Sequence, residues 1–318
     1  MDAIGAYLLR RLGVSLVVLI GISVLVFVLL HTISSSPGRA VLGVQASPAS
    51  VAAFDHAHGY DRPLPLQYLS YLGDLLHGDL GYSYKLNQSV VALLGQNSGR
   101  SALLTGVALV LAVVVAIPLG ILQAVKRNSA IDNGLTALAF TLYSIPVFFL
   151  ALVLIEVFSL RLDLLPSQGS QATTVLGVLA DPVSMILPVV TLTAVSVAAF
   201  SRYMRSAALD NLAQDYIRVA RAKGLSERQV IGRHLLRNSC LPIITLVGLS
   251  VPALLAGNLI VETVFNYPGL GLLFFNSLQK EDYPVLMAYS LVVGALTVLG
   301  NLVADVALAG VDPRIRLR

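Results

Sequence analysis

Few residues of this 318-residue chain are placed to make or break bonds. Gripping nucleotide phosphates in the Walker manner takes a G-x-x-x-x-G-K-[ST] loop; the nearest fragment, GQNSGRS at 95–101, has the wrong glycine spacing and no lysine. Neither H-E-x-x-H nor G-x-S-x-G occurs, and no His/Cys/Asp set has metal-ligand spacing. Cys240 stands alone, which rules out an intramolecular disulfide and a cysteine metal cluster. No catalytic residue, metal or cofactor is expected on this chain.

The chemistry that remains is charge, and it is concentrated. Residues 214–239, QDYIRVARAKGLSERQVIGRHLLRNS, carry six basic side chains (Arg218, Arg221, Lys223, Arg228, Arg233, Arg237) against two acids, Asp215 and Glu227. Asp210 or Asn211 is suited to cap a helix running to Lys223, with basic residues near its C-terminus. Gly224 suits a left-handed turn just past the helix end. Ser226 and Gln229 have capping-box spacing and open a second helix over 227–237. The segment therefore reads as a helix–glycine–helix elbow. Tyr216, Ala220 and Lys223 share one side of its first helix. The small Ala220, Ala222 and Gly224 leave room for a partner at the bend, so bulk at Ala220 or Gly224 is expected to disturb docking. A basic helix lying on anionic membrane lipid is the plainer reading, but it calls for neither the glycine break nor the capping box.

The elbow is embedded in an apolar chain. Hydrophobic residues make up 56% and charged residues only 12%, against about a quarter charged in soluble domains. Six charge-free apolar runs are long enough to span a bilayer: 12–30, 102–125, 134–155, 183–201, 239–261 and 283–304. Arg10 and Arg11 before the first run resemble a signal-peptide start, yet the run is long and no A-x-A site follows, so it reads as a retained span. With both termini in the cytoplasm, that side receives fifteen of the 21 basic residues, as the positive-inside rule asks. The net charge of +4 is thus a topology signal and no pointer to nucleic acid.

The expected layout is a first span within 1–33, an external region 34–101 with short helices at 47–58 and 64–77, a five-helix core over 102–310 containing the elbow 210–237, and a cytoplasmic tail 311–318. External loops at 161–182 and 262–282 follow, the second too short in its apolar middle to span and expected to re-enter or lie along the interface. Pro118, Pro146, Pro188, Pro242 and Pro252 fall within spans and predict kinks. Glu156, Glu262 and Asp305 sit at span ends, where interfacial solvation is the expected environment, and His31 reads as a boundary residue. No acid falls at mid-span, which argues against an ion-driven secondary carrier.

The run DYIRVARAKGLSERQVIGRHLLRNSCLPIIT closely resembles the cytoplasmic loop of permease subunits from ABC importers of dipeptides and oligopeptides. YLLRRLGVSLVVLIGISVLVFVLLHTI, GYDRPLPLQYLSYLGDLLHGDLGYSY, IPLGILQAVKRNSAID, SIPVFFLALVLI, ETVFNYPGLGLL, DYPVLMAYSLV and DPRIRLR extend the resemblance over nearly the whole chain. It implies an all-α membrane protein of the type I importer permease (MetI-like) fold with six transmembrane helices, in a bacterial inner membrane. It also implies a second homologous permease, two ATP-binding subunits that carry ATP and Mg, an external solute-binding protein and a peptide substrate. The elbow then corresponds to the coupling helix, with Tyr216, Arg218, Ala220, Arg221, Lys223 and Gly224 as ATPase-coupling residues. Arg218 stands where the family's E-A-A-x-x-x-G signature has its acid. On the outer face Gln168, Asn266, Tyr267 and Pro268 are expected to meet the binding protein. Relatives carry nickel, glutathione, haem or antimicrobial peptides, and no residue here selects the cargo.

Overall fold

A computed structural model describes residues 3–33, 37–43 and 45–311. The basic tail with Arg314, Arg316 and Arg318, and the side chain of Asp305, lie outside the described set. Helix α1 (Ala3–Ile33) leads through α2 (Pro37–Leu42) to α3 (Pro48–His58) and α4 (Leu64–Leu76), the two short helices expected beyond the first span. Ser47 caps α3 through Ser50 N–H, and Gly59 closes it at φ 71°. Side chains tie α4 back to α1: Ser23 Oγ meets Tyr68 Oη at 2.6 Å, and His31 Nε2 meets Gln67 Oε1 at 3.2 Å. His31 is thereby satisfied at the end of α1. A minimal hairpin, β1 (Tyr82–Ser83) with β2 (Gln88–Ser89), then delivers the chain into α5 (Val90–Val125).

The core is a seam between α5 and α9 (Ile186–Leu212, entered through a 3₁₀ turn at Val183–Met185). Along α5 the residues facing inward recur every four positions: Leu104, Ala108, Ala112, Ala116, Gly120 and Ala124, all buried. Lipid offers helices no hydrophobic reason to associate, so close packing through small side chains has to hold them. A Cβ on Gly120 would lie 2.5 Å from Met204 Cβ and 2.8 Å from the Ser201 carbonyl. On the other face Val107, Val110, Leu111, Val114 and Val115 are exposed, as a lipid-facing side requires.

Two of the expected spans are interrupted. The run 134–155 divides into α6 (Ala130–Ser144) and α7 (Val147–Leu154, continued by a π-helical turn Ile155–Arg161), bent by 104°. Pro146 is the cause: it has no N–H for the Leu142 carbonyl, and its own carbonyl starts the next helix by accepting from Phe149 and Leu150 at 3.0 and 3.1 Å. The run 239–261 stops early, at the end of α13 (Leu241–Ala256). Gly257 turns the chain at φ 78°, where a Cβ would meet Glu262 Oε1 and Gly271 N, both at 2.9 Å. Among the described residues four helices are long and apolar enough to cross a membrane, or five with the bent pair counted as one; α13 is a shorter apolar helix. After α14 (Leu259–Val264) and α15 (Leu270–Gln279), α16 (Tyr283–Val311) packs against α13 and α1.

The seam makes opposite demands on two glycines of one helix. Gly95→Ala, with open space around its Cβ, is expected to stabilise by up to about 1 kcal/mol through helix propensity. Gly120→Ala is expected to destabilise by about 1–3 kcal/mol through overpacking. Thermal melts of the purified protein in detergent check this; equal shifts for both variants would remove the seam as the organising contact.

Candidate functional site

The elbow forms at the end of α9, later than the caps expected from sequence. Asp210 and Asn211 are absorbed into α9, because Ala208 and its neighbours continue to bury against the bundle. Asn211 donates back to the Ala207 carbonyl at 2.8 Å and accepts from Tyr216 Oη at 2.6 Å. Helix α10 (Asp215–Ala222) then starts from Gln214 in extended conformation, with no side-chain cap.

Its exit follows the local rules. Gly224 has φ 79°, its N–H reaches the Arg221 carbonyl at 2.9 Å, and Leu225 N–H reaches Ala220 O at 3.3 Å. That pair of bonds is a Schellman motif with Leu225 folded back onto the apolar side. Ser226 and Gln229 form the capping box of α11 (Glu227–Gln229), which runs through a π turn, Val230–Leu235, into α12 (Leu236–Ser239).

The elbow stands on a footing. Ile217 and Ala220 are buried with Ala124, Ala208, Val230 and Leu235. Ala220 therefore faces its own chain, and a larger residue there would lift the elbow off its support instead of meeting a partner. Tyr216, Arg218, Arg221, Lys223 and Gly224 are exposed on the opposite side. Arg218 pairs with Asp215 at 3.3 Å, and Arg221 clasps Glu227 across the bend at 2.8 and 3.2 Å. Exposed pairs of this kind contribute at most about 1 kcal/mol, whereas truncating a core residue such as Ile217 to Ala costs about 2–5 kcal/mol. The apolar footing decides where the elbow sits.

Just above it a polar clasp joins three helices. Arg205 on α9 donates to both oxygens of buried Asp132 at the start of α6, at 2.8 and 2.9 Å. Asp132 also accepts from Asn128 N–H at 2.9 Å. Gln123 on α5, buried, donates to Thr136 one turn along α6 at 3.1 Å. Nothing in the local pattern around Asp132 announces its partner 73 residues away.

At the other end of the seam lies a second knot. Glu262 is fully buried, and solvation at a membrane interface is not what holds it. It accepts from Ser101 Oγ at 2.7 Å, Gly271 N–H at 2.7 Å, Asn258 N–H at 3.0 Å and Leu272 N–H at 3.2 Å. Ser101 Oγ in turn accepts from Leu270 N–H at 2.8 Å. Burial raises the Glu262 carboxyl above its ordinary range, opposed by these donors. Each partner is a donor, so the geometry satisfies the ionised form.

The same knot stitches the two expected contact loops together. Tyr267 is fully buried and donates to the Arg100 carbonyl at 2.9 Å, which withdraws it from any partner's reach. Arg100 donates to Gln96 O, Ala172 O and Asn97 Oδ1 at 3.2, 3.1 and 2.8 Å. Gly169 N–H meets Phe265 O at 2.7 Å, and Gln171 bridges to Asn266 O at 2.8 Å. Gln168 and Asn266 remain exposed and Pro268 half-buried, all on one composite surface.

Glu262→Gln sets an amide N–H₂ against backbone donors. It is expected to lower stability by about 2–4 kcal/mol, and Ser101→Ala by about 1–2 kcal/mol, since lost charge-assisted bonds leave buried N–H groups unpaired. Thermal melts in detergent check it; a neutral Glu262→Gln would show that the carboxylate does not hold the knot.

Residues 116–317 match the family described as binding-protein-dependent transport system inner membrane component, and residues 4–98 match its companion N-terminal family. A putative peptide permease protein of Brucella suis biovar 1 is 39% identical over 98% of this chain and 99% of its own length. The oligopeptide transport system permease protein AppB of Bacillus subtilis is 39% identical over 98% and 99%. The dipeptide transport system permease protein DppB of Escherichia coli K12 is 37% identical over 98% of each. Among solved structures, the MetNI methionine ABC transporter in inward facing conformations superposes with a TM-score of 0.53 at 18% identity, over 70% of this chain and 97% of that one, which places the fold as MetI-like. With its apolar helices, this makes the chain a multi-pass inner membrane protein and a permease subunit, with no enzymatic role of its own. The chain belongs to the binding-protein-dependent transport system inner membrane component family.

Proposed function

We propose that this chain forms half of the translocation pathway of an ATP-driven importer of dipeptides or oligopeptides. The observation that carries the reading is the elbow: a short, exposed, basic helix anchored through Ile217 and Ala220 to the ends of α5 and α9. Peptide cargo is supported by the names of relatives that match from end to end. In this reading a second, similar permease completes the pathway and two ATPase subunits, which carry the ATP and Mg, grip the elbows from the cytoplasm. Tyr216, Arg218, Arg221, Lys223 and Gly224 form the gripped face. The external binding protein delivers peptide to the surface around Gln168, Asn266 and Pro268.

The elbow transmits work because it cannot slide on its support. When the ATPases close, their grip carries α10, and the buried footing carries the ends of α5 and α9 with it. Such a partner shifts the equilibrium between outward- and inward-open forms only by binding them with different affinity.

Gly224→Trp is the sharpest variant. The space beside Gly224 is open, so the chain still folds and inserts, but the left-handed backbone is strained and the gripped face is occupied. Uptake by the reconstituted complex is expected to fall at least tenfold while ATP hydrolysis persists. Normal uptake by this variant, or peptide transport by this chain alone in vesicles, would overturn the reading. Co-purification in mild detergent identifies the companion subunits.

A further inference from the structure

Arg202, on α9, points the wrong way for a lipid-facing arginine. One turn further along α9, Arg205 meets Asp132 in the first turn of α6. Arg202 instead reaches further along α6, where its guanidinium carbon lies 4.5 Å from the Phe140 ring centroid and 5.1 Å from that of Tyr143. Those rings stand eight and eleven residues beyond Asp132, about 12 and 16 Å along the helix axis. An arginine beside lipid would snorkel its charge toward the headgroups. This one lies against two aromatic faces, away from the basic turn between α5 and α6 that holds Lys126 and Arg127.

Arg202 is exposed, and among the described residues it makes no ion pair. Phe140 is also a wall of an open recess of about 650 Å³, shared with Ser144, Pro146, Phe148 and Phe149 at the break between α6 and α7. Pro146 leaves the Leu142 carbonyl without its helical donor. Arg202 falls within the candidate span Val183–Leu212 and Leu142 within the bent pair α6–α7. Freed backbone groups and unpaired charge within a span are tolerated only against protein or a water-filled path. A planar guanidinium steadied by two rings keeps its N–H edge free for a carboxylate.

We propose that Arg202, held by Phe140 and Tyr143, is a docking point in the translocation pathway for the C-terminal carboxylate of the peptide cargo. The inference rests on the peptide-importer reading above. It supplies a contact common to every peptide whatever its side chains, at the place where the span is broken.

The test uses the complete importer in proteoliposomes, with binding protein saturated by trialanine or by trialanine amide. Wild type, Arg202→Gln, Arg202→Lys and Phe140→Leu are compared. Arg202→Gln is expected to cut trialanine uptake about tenfold, the worth of one charge-assisted hydrogen bond, and to leave amide uptake within about twofold. Arg202→Lys keeps the charge without the planar fork and is expected to fall between. Phe140→Leu shifts the acid-to-amide preference in the same direction by less. A benzophenone side chain at position 145 gives a second measurement: its capture of trialanine is expected to drop by a similar factor in Arg202→Gln. Equal loss of both cargoes, which a lipid phosphate or a neighbouring subunit's acid on Arg202 would produce, overturns the proposal. So does unchanged preference together with unchanged capture. If wild type takes up neither cargo, the peptide reading itself falls and this inference with it.

Discussion

Helices α5 and α9 lie against each other through alanine and glycine, and the rest of the molecule hangs from that contact. In water, apolar side chains would drive such a pair together; in lipid the gain is packing itself, which falls off steeply with separation. The stripe from Leu104 to Ala124, one residue in every four, lets the two backbones approach and stay side by side for much of the length of α5. Each end of the stripe is finished by polar groups that lipid could not satisfy. At one end Arg100 and Ser101 meet Tyr267 and Glu262. At the other Gln123 meets Thr136, and Ala124 supports the elbow. A single rod therefore links the knot around Glu262 to the footing of the elbow.

Local rules carried the reading of the sequence a long way. Gly224 in the left-handed region, the Ser226–Gln229 capping box and the short helices near 48–58 and 64–76 all follow from neighbours within five residues. The same rules failed where a distant partner decided. Asp210 and Asn211 have the right chemistry for a cap, but burial of Ala208 keeps α9 going past them. Glu262 looks like a span-end residue until Ser101, 161 positions earlier, is brought beside it. Tyr267 sits in a polar loop and reads as exposed, yet its ring fills the core between α5 and the loop at 169–172. The small-residue stripe on α5 was legible in principle, because a period of four in Ala and Gly within a span marks a close helix contact.

Prolines within spans illustrate a different limit. Pro118 lies inside α5 without ending it, while Pro146 ends α6 outright and turns the chain by 104°. Both remove one backbone donor, so the residue type alone cannot separate them. Surroundings do: α5 is clamped along its length by α9, and the segment around Pro146 is exposed on several sides. Continuous packing on both sides of a missing hydrogen bond keeps a helix running. Without that support, the freed carbonyl turns outward and the helix restarts.

These contrasts indicate where the fold yields when a partner pulls on it. Opening the Asp132–Arg205 clasp by separating buried charges would cost about 3–5 kcal/mol, and unmaking the Glu262 knot would strand several backbone donors at once. Both are too costly to break and remake in a cycle that can be run elsewhere. The interruptions, at Ala213–Gln214, Gly224, Pro146 and Gly257, already lack continuous helical bonding and absorb changes in backbone angle cheaply. In the cycle proposed above, motion applied at the elbow passes whole through α9, α5 and the clasped start of α6, and is taken up at the broken span and at the ends of α10 and α13. In that cycle the polar knots stay closed.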